Sequence, residues 1–161
     1  MTEGLPDDTQ VIEATFNEQL LVGVAMIALC VLIHGIGLFT IQRILTGEAM
    51  RERVSSLRPL SFTGSAFTVL AVFAIIAIHF VEIWLFAFLY DYLGALPDFR
   101  EALYFSTISY ATIGYSDASI AEQWRMVAAL QGVLGIILLG WSTAFFVRVL
   151  GRLEGDDAEP R

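Results

Sequence analysis

The chain has 161 residues, 57% of them hydrophobic and 16% charged, with a formal net charge of −8. That apolar share exceeds the roughly 45–50% of soluble domains, and the apolar residues are bunched rather than periodic, which excludes an ordinary soluble globule. The absence of lysine and of any basic patch excludes nucleic acid as a partner, and the lone Cys30 excludes an intrachain disulfide.

Residues 1–19 form an acidic tail with Glu3, Asp7, Asp8, Glu13 and Glu18 and no basic residue. A secretory signal needs a basic start and a shorter apolar run, so the stretch that follows reads as a retained helix. A bilayer core about 30 Å thick calls for about 20 consecutive apolar residues. Residues 20–42 meet that requirement and make a first transmembrane helix, with Cys30 and His34 inside it. Residues 43–63 form a linker in which Met50, Val54 and Leu57 share one helical face. That fits either an interfacial helix or a plain polar connection.

A second long apolar run covers Gly64 to Tyr90, and a third covers Met126 to Leu150. Arginine placement orients all three. Arg43, Arg51, Arg53 and Arg58 lie in the first linker and Arg148, Arg152 and Arg161 follow the third run, against only Arg100 and Arg125 on the other side. The positive-inside bias puts the linker and the C-terminal tail, 153–161, in the cytoplasm and the N-terminus outside. The expected location is the plasma (cytoplasmic) membrane.

Between the second and third runs the chain is longer than a simple connection needs. Asp98 and Glu101 have capping-box spacing, which predicts a helix over 98–110, too short to cross the bilayer and so re-entrant. Ser119 and Glu122 repeat the spacing and predict the start of the last helix, 121–150. Between these two helices lies ATIGYSD, residues 111–117. Non-helical backbone at bilayer depth is tolerated only where protein buries it or where it lines water. Converging carbonyls can replace the hydration shell of a cation. One such loop per chain then requires a symmetric oligomer closed about an axis.

The segment TIGYSD, with a half-helix before it and an apolar helix after it, resembles the pore module of tetrameric potassium channels, whose signature is Thr-Val-Gly-Tyr-Gly-Asp. The likeness covers residues 64–152. The first helix and the acidic tail lie outside it. With that extra helix, the resemblance implies an all-α membrane protein with three transmembrane helices, a re-entrant pore helix and a filter loop, 112–116, assembled as a homotetramer in the lipid bilayer. Thr112, Ile113, Gly114, Tyr115 and Ser116 fall on filter positions. The resemblance implies potassium ions held by the carbonyls of Thr112, Ile113, Gly114 and Tyr115, with no organic cofactor and no enzymatic chemistry. Asp117 falls on the acid behind the outer mouth, and Tyr104 on a pore-helix position that supports the filter. A chance loop between two ordinary helices would leave the capped half-helix without an explanation.

Ser116 departs from the signature. Glycine adopts the required backbone freely, and a Cβ there costs roughly 1–2 kcal/mol. A hydroxyl bonded to Asp117 or nearby backbone offsets part of that. The expectation is an intact inner filter with a softer outermost site, the alternative being a weakly selective cation channel.

On the last helix, Gly132, Gly135 and Gly140 permit either bending or close helix contact, and Gly135 aligns with the family's hinge position. Phe145 and Phe146 suit a hydrophobic constriction. Gln131 and Thr143 are polar positions suited to a water-filled cavity. No helix carries the repeated arginines of a voltage sensor, and no ligand-binding domain is expected in the short C-terminal segment. His34, His79 and Glu82 are ionisable groups within apolar helices. They read either as a pH-sensing cluster or as interhelical hydrogen bonds that dock the first helix. A non-conducting sensor or interaction subunit is the rival from a different class.

Overall fold

A computed structural model describes residues 15–45, 62–114 and 119–155, and every element among them is helical. The face expected on Met50, Val54 and Leu57, the acidic tail up to residue 14 and the end of the chain after Gly155 lie outside the described residues.

Helix α1 spans Phe16–Leu45. It starts earlier than the expected residue 20 because Thr15 and Glu18 form a capping box. The Glu18 carboxylate accepts from the Thr15 N–H at 2.7 Å, and the Thr15 hydroxyl from the Glu18 N–H at 3.4 Å. Helix α2 spans Phe62–Tyr92. It ends in a Schellman motif: Gly94, at φ 61°, donates to Asp91 O and Ala95 donates to Tyr90 O. Glycine enters that left-handed conformation without the Cβ penalty, and Pro97 soon after prevents the helix from resuming.

Helix α3 spans Phe99–Tyr110, with Asp98 as its N-cap accepting from the Glu101 N–H at 2.9 Å. Its 12 residues make about 18 Å of helix at 1.5 Å per residue. Its buried positions, Ala102, Phe105, Ser106, Ser109 and Tyr110, follow the i, i+3, i+4, i+7 pattern of a helix resting one face on its neighbours.

The cap expected from Ser119 and Glu122 does not form. Ala121 takes the N-cap position without a side-chain bond, and a 3-10 turn, Glu122–Trp124, precedes helix α4, Arg125–Gly155. Two other forces fix this entry. The Ala121 N–H donates to Ala95 O at 3.0 Å, tying it to the α2–α3 turn, and Trp124 is buried.

Helices α1, α2 and α4 are each long and apolar enough to cross a membrane. Apolar surface alone gives such helices little reason to associate in lipid, so close packing and hydrogen bonds carry their contacts. The described residues divide into two packed parts. The first joins residues up to Leu29 with Glu82–Ile136. In it Leu130 packs so closely on Gly23 that a Cβ on the glycine would come within 2.5 Å of its side chain. The second joins Cys30–Val81 with residues from Ile137 onward. Leu38, Ile41 and Ile75 form its core, with Ala74, Ile78, Phe145 and Phe146 packed around them. Ile78 rests on Gly37, where a Cβ would come within 2.5 Å of it.

Candidate functional site: the loop after the short helix and the networks behind it

At the end of α3 the backbone turns back on itself. Ala111 N–H donates to Thr107 O at 3.0 Å, Thr112 N–H to Ser109 O at 3.1 Å, and Ile113 N–H to Ile108 O at 3.0 Å. Thr112 has φ 57° and Gly114 φ 100°. For a β-branched residue the left-handed region is an outlier, and such strain, of order 1–3 kcal/mol, persists only where the surroundings impose it. Thr112, Ile113 and Gly114 are exposed on the single chain. Among the described residues no backbone N–H donates to their carbonyls. Tyr115, Ser116 and Asp117 lie outside the described residues.

The surroundings that hold this strained exit are polar and buried. The Tyr110 hydroxyl donates to Glu82 Oε2, and both side chains are buried. The carbonyl of Tyr110 lies against Gly135 of α4, where a Cβ would overlap the carbonyl oxygen and come within 3.0 Å of its carbon. One turn earlier on α3, Ser106 Oγ donates to Ile83 O at 2.7 Å. Gln131 Nε2 donates to Ser106 Oγ at 2.7 Å and to Ser106 O at 3.2 Å, while Gln131 Oε1 accepts from the Tyr90 hydroxyl at 2.8 Å. The Tyr90 ring meets Phe105 edge-on, with centroids 5.5 Å apart. One glutamine thus ties α2, α3 and α4 together. The cavity position expected for Gln131 is therefore corrected: its side chain is fully buried, because its amide completes this network.

A second network belongs to the other packed part. His34 of α1 and His79 of α2 have ring centroids 5.2 Å apart. Both present Nε2 to the same atom, Ser142 Oγ of α4, at 3.1 and 3.0 Å. Trp141 stacks obliquely on His34 at 5.3 Å, beside Gly35. Three helices thus meet at one hydroxyl. Glu82, read in sequence alongside these histidines, has its carboxylate engaged by Tyr110.

The remaining sequence-predicted residues fall in distinct settings. Tyr104 is 64% exposed on α3. A Cβ at Gly132 would stand 3.6 Å from Ser109 O, an ordinary contact, and one at Gly140 would meet nothing within 4 Å. Phe145 and Phe146 are partly buried against Leu38, Ile41 and Ile75, inside the protomer. Thr143 is exposed and its hydroxyl donates to Leu139 O at 2.9 Å, within its own helix. The sequence reading missed Tyr90, Ser106, Tyr110 and Ser142. Each is a polar group within or beside an apolar run, and that is the signal that marks it.

These features define a class: an all-helical membrane protein of several passes, with a half-length helix that ends in a strained, exposed turn. A family model described as "Ion channel" matches residues 76–152, from the middle of α2 through most of α4. No curated protein and no solved structure matches the chain. The family match supports an ion channel and, with it, a role in transport rather than catalysis.

Proposed function

We propose that this chain is the subunit of a homotetrameric, potassium-selective channel whose ion path runs past the carbonyls of Thr112, Ile113, Gly114 and Tyr115. The observation that supports it best is the pair of left-handed residues, Thr112 and Gly114, at the end of a helix too short to cross a bilayer. In an apolar chain, backbone that strained and exposed is stable only if something satisfies its carbonyls, and a dehydrated cation does so. The end of α3 adds to this. A helix C-terminus carries about half a negative elementary charge, and four copies lower the cost of a cation beside the loop. Potassium ions and lipid are then the partners of the assembly, with the N-terminus outside and the C-terminal segment in the cytoplasm.

Reconstitution of the purified chain into liposomes tests the reading directly. A potassium gradient should drive flux through this protein alone, and the mass of the solubilised complex should equal four chains. A reversal potential that shows equal potassium and sodium permeability would remove the selective reading and favour the weakly selective one, which Ser116 motivates. In the selective case Ser116→Gly should tighten potassium over sodium discrimination or slow inactivation, because it relieves roughly 1–2 kcal/mol of Cβ strain. Unchanged selectivity and inactivation in that variant would show that the serine is not the soft point of the filter.

A further inference from the structure

Tyr110 is held at both ends of its residue. Its hydroxyl is bonded to Glu82 of α2, and its backbone carbonyl is pressed onto Gly135 of α4. Two residues later the chain enters the left-handed Thr112. The amides of Ala111, Thr112 and Ile113 all bond back into the last turn of α3, so that turn is the template for the strained exit. A shift of the turn would pass directly into the loop, since no other backbone bond involving Thr112, Ile113 or Gly114 occurs among the described residues.

We propose that Tyr110 is a positioning residue for ion selection, a latch through which Glu82 on one side and Gly135 on the other set the geometry of the ion-coordinating loop. This rests on the pore reading given above. A carboxyl oxygen suits the task, because it accepts the tyrosine proton directly and a hydrogen bond in a low-dielectric site is stronger than one in water. In a buried site no water replaces it when it is lost. The latch also gives a physical link between the inner helix and the filter. Movement of α4 at Gly135 cannot leave the Tyr110 carbonyl where it is, because the two backbones touch.

The test uses the full chain with three changes: Tyr110→Phe, Glu82→Gln and the double replacement Glu82→Leu/Tyr110→Phe. Tyr110→Phe removes the hydroxyl and keeps the ring. Glu82→Gln keeps an acceptor oxygen. The double variant strands neither member of the pair, so it keeps the test open where Tyr110→Phe alone fails to fold. Two readouts are needed, the sodium-to-potassium permeability ratio in liposomes and hydrogen exchange of the amides of residues 111–113. The expected result is a rise in relative sodium permeability of about tenfold in Tyr110→Phe and in the double variant, the scale of one buried hydrogen bond. Exchange at 111–113 should be faster in both, and Glu82→Gln, which keeps the acceptor oxygen, should retain most of each property. A double variant that is stable, with exchange at 111–113 and permeability ratio both unchanged, would overturn the latch and leave Tyr110 as mere packing. If the unmodified chain carried no potassium, the pore reading would fall, and the exchange rates would still decide whether the latch holds the turn.

Discussion

Gly135→Ala is expected to prevent correct seating of the short helix, with loss of both assembly and flux. The added Cβ would overlap the Tyr110 carbonyl oxygen and crowd its carbonyl carbon at 3.0 Å. Backbone offers no rotamer by which to move aside, so α3 or α4 must shift. Overpacking of this kind costs about 1–3 kcal/mol or more, a large part of the margin by which any protein is stable. The neighbouring glycines make internal controls. Gly132→Ala places its Cβ at an ordinary 3.6 Å from Ser109 O and should be nearly neutral, and Gly140→Ala meets nothing within 4 Å of the protomer. There the higher helix propensity of alanine should help by up to about 1 kcal/mol. The ranking distinguishes packing from hinge action. A hinge glycine replaced by alanine would leave thermal stability and the size of the solubilised complex intact and alter only opening. A melting curve and the size of the solubilised complex, measured for all three variants, check this. Equal stability across the set would return Gly135 to the hinge reading.

That contrast shows what could be read from sequence and what could not. The apolar runs announced the crossings because hydropathy and length are properties of a segment by itself. Asp98 with Glu101 announced α3 because a cap is settled within one turn. The same spacing at Ser119 and Glu122 misled, since burial of Trp124 and the Ala121–Ala95 backbone bond decided where α4 begins. Thr15 and Glu18 show the reverse case: their spacing is that of a cap, but it lies before the apolar run that marks the helix. Among the candidate site residues, Thr112 and Gly114 stand out in the sequence through their motif, and the structure adds their positive φ. Gln131 was not. A lone glutamine on an apolar helix fits a cavity lining as well as a buried clamp, and only the positions of Ser106 and Tyr90, 25 and 41 residues away in sequence, choose between the two.

Removal of the Ser142 hydroxyl should release α1 from α4. A hydroxyl carries one proton and two acceptor lone pairs, so with both rings neutral it can donate to the Nε2 of one histidine while it accepts an N–H from the other. Ser142→Ala takes away both bonds and leaves two imidazole nitrogens without this partner, His34 being fully buried. A buried polar group deprived of its partner costs about 1–3 kcal/mol. Cys30, the chain's one cysteine, is buried in the same packed part as this bridge, four residues before His34. It therefore reports release without any added label. Its reaction with a thiol reagent should be slow in the native protein and clearly faster in Ser142→Ala. Labelling of Ser142→Ala that stays as slow as in the native protein would show that the other contacts of α1, and not this hydroxyl, hold it in place.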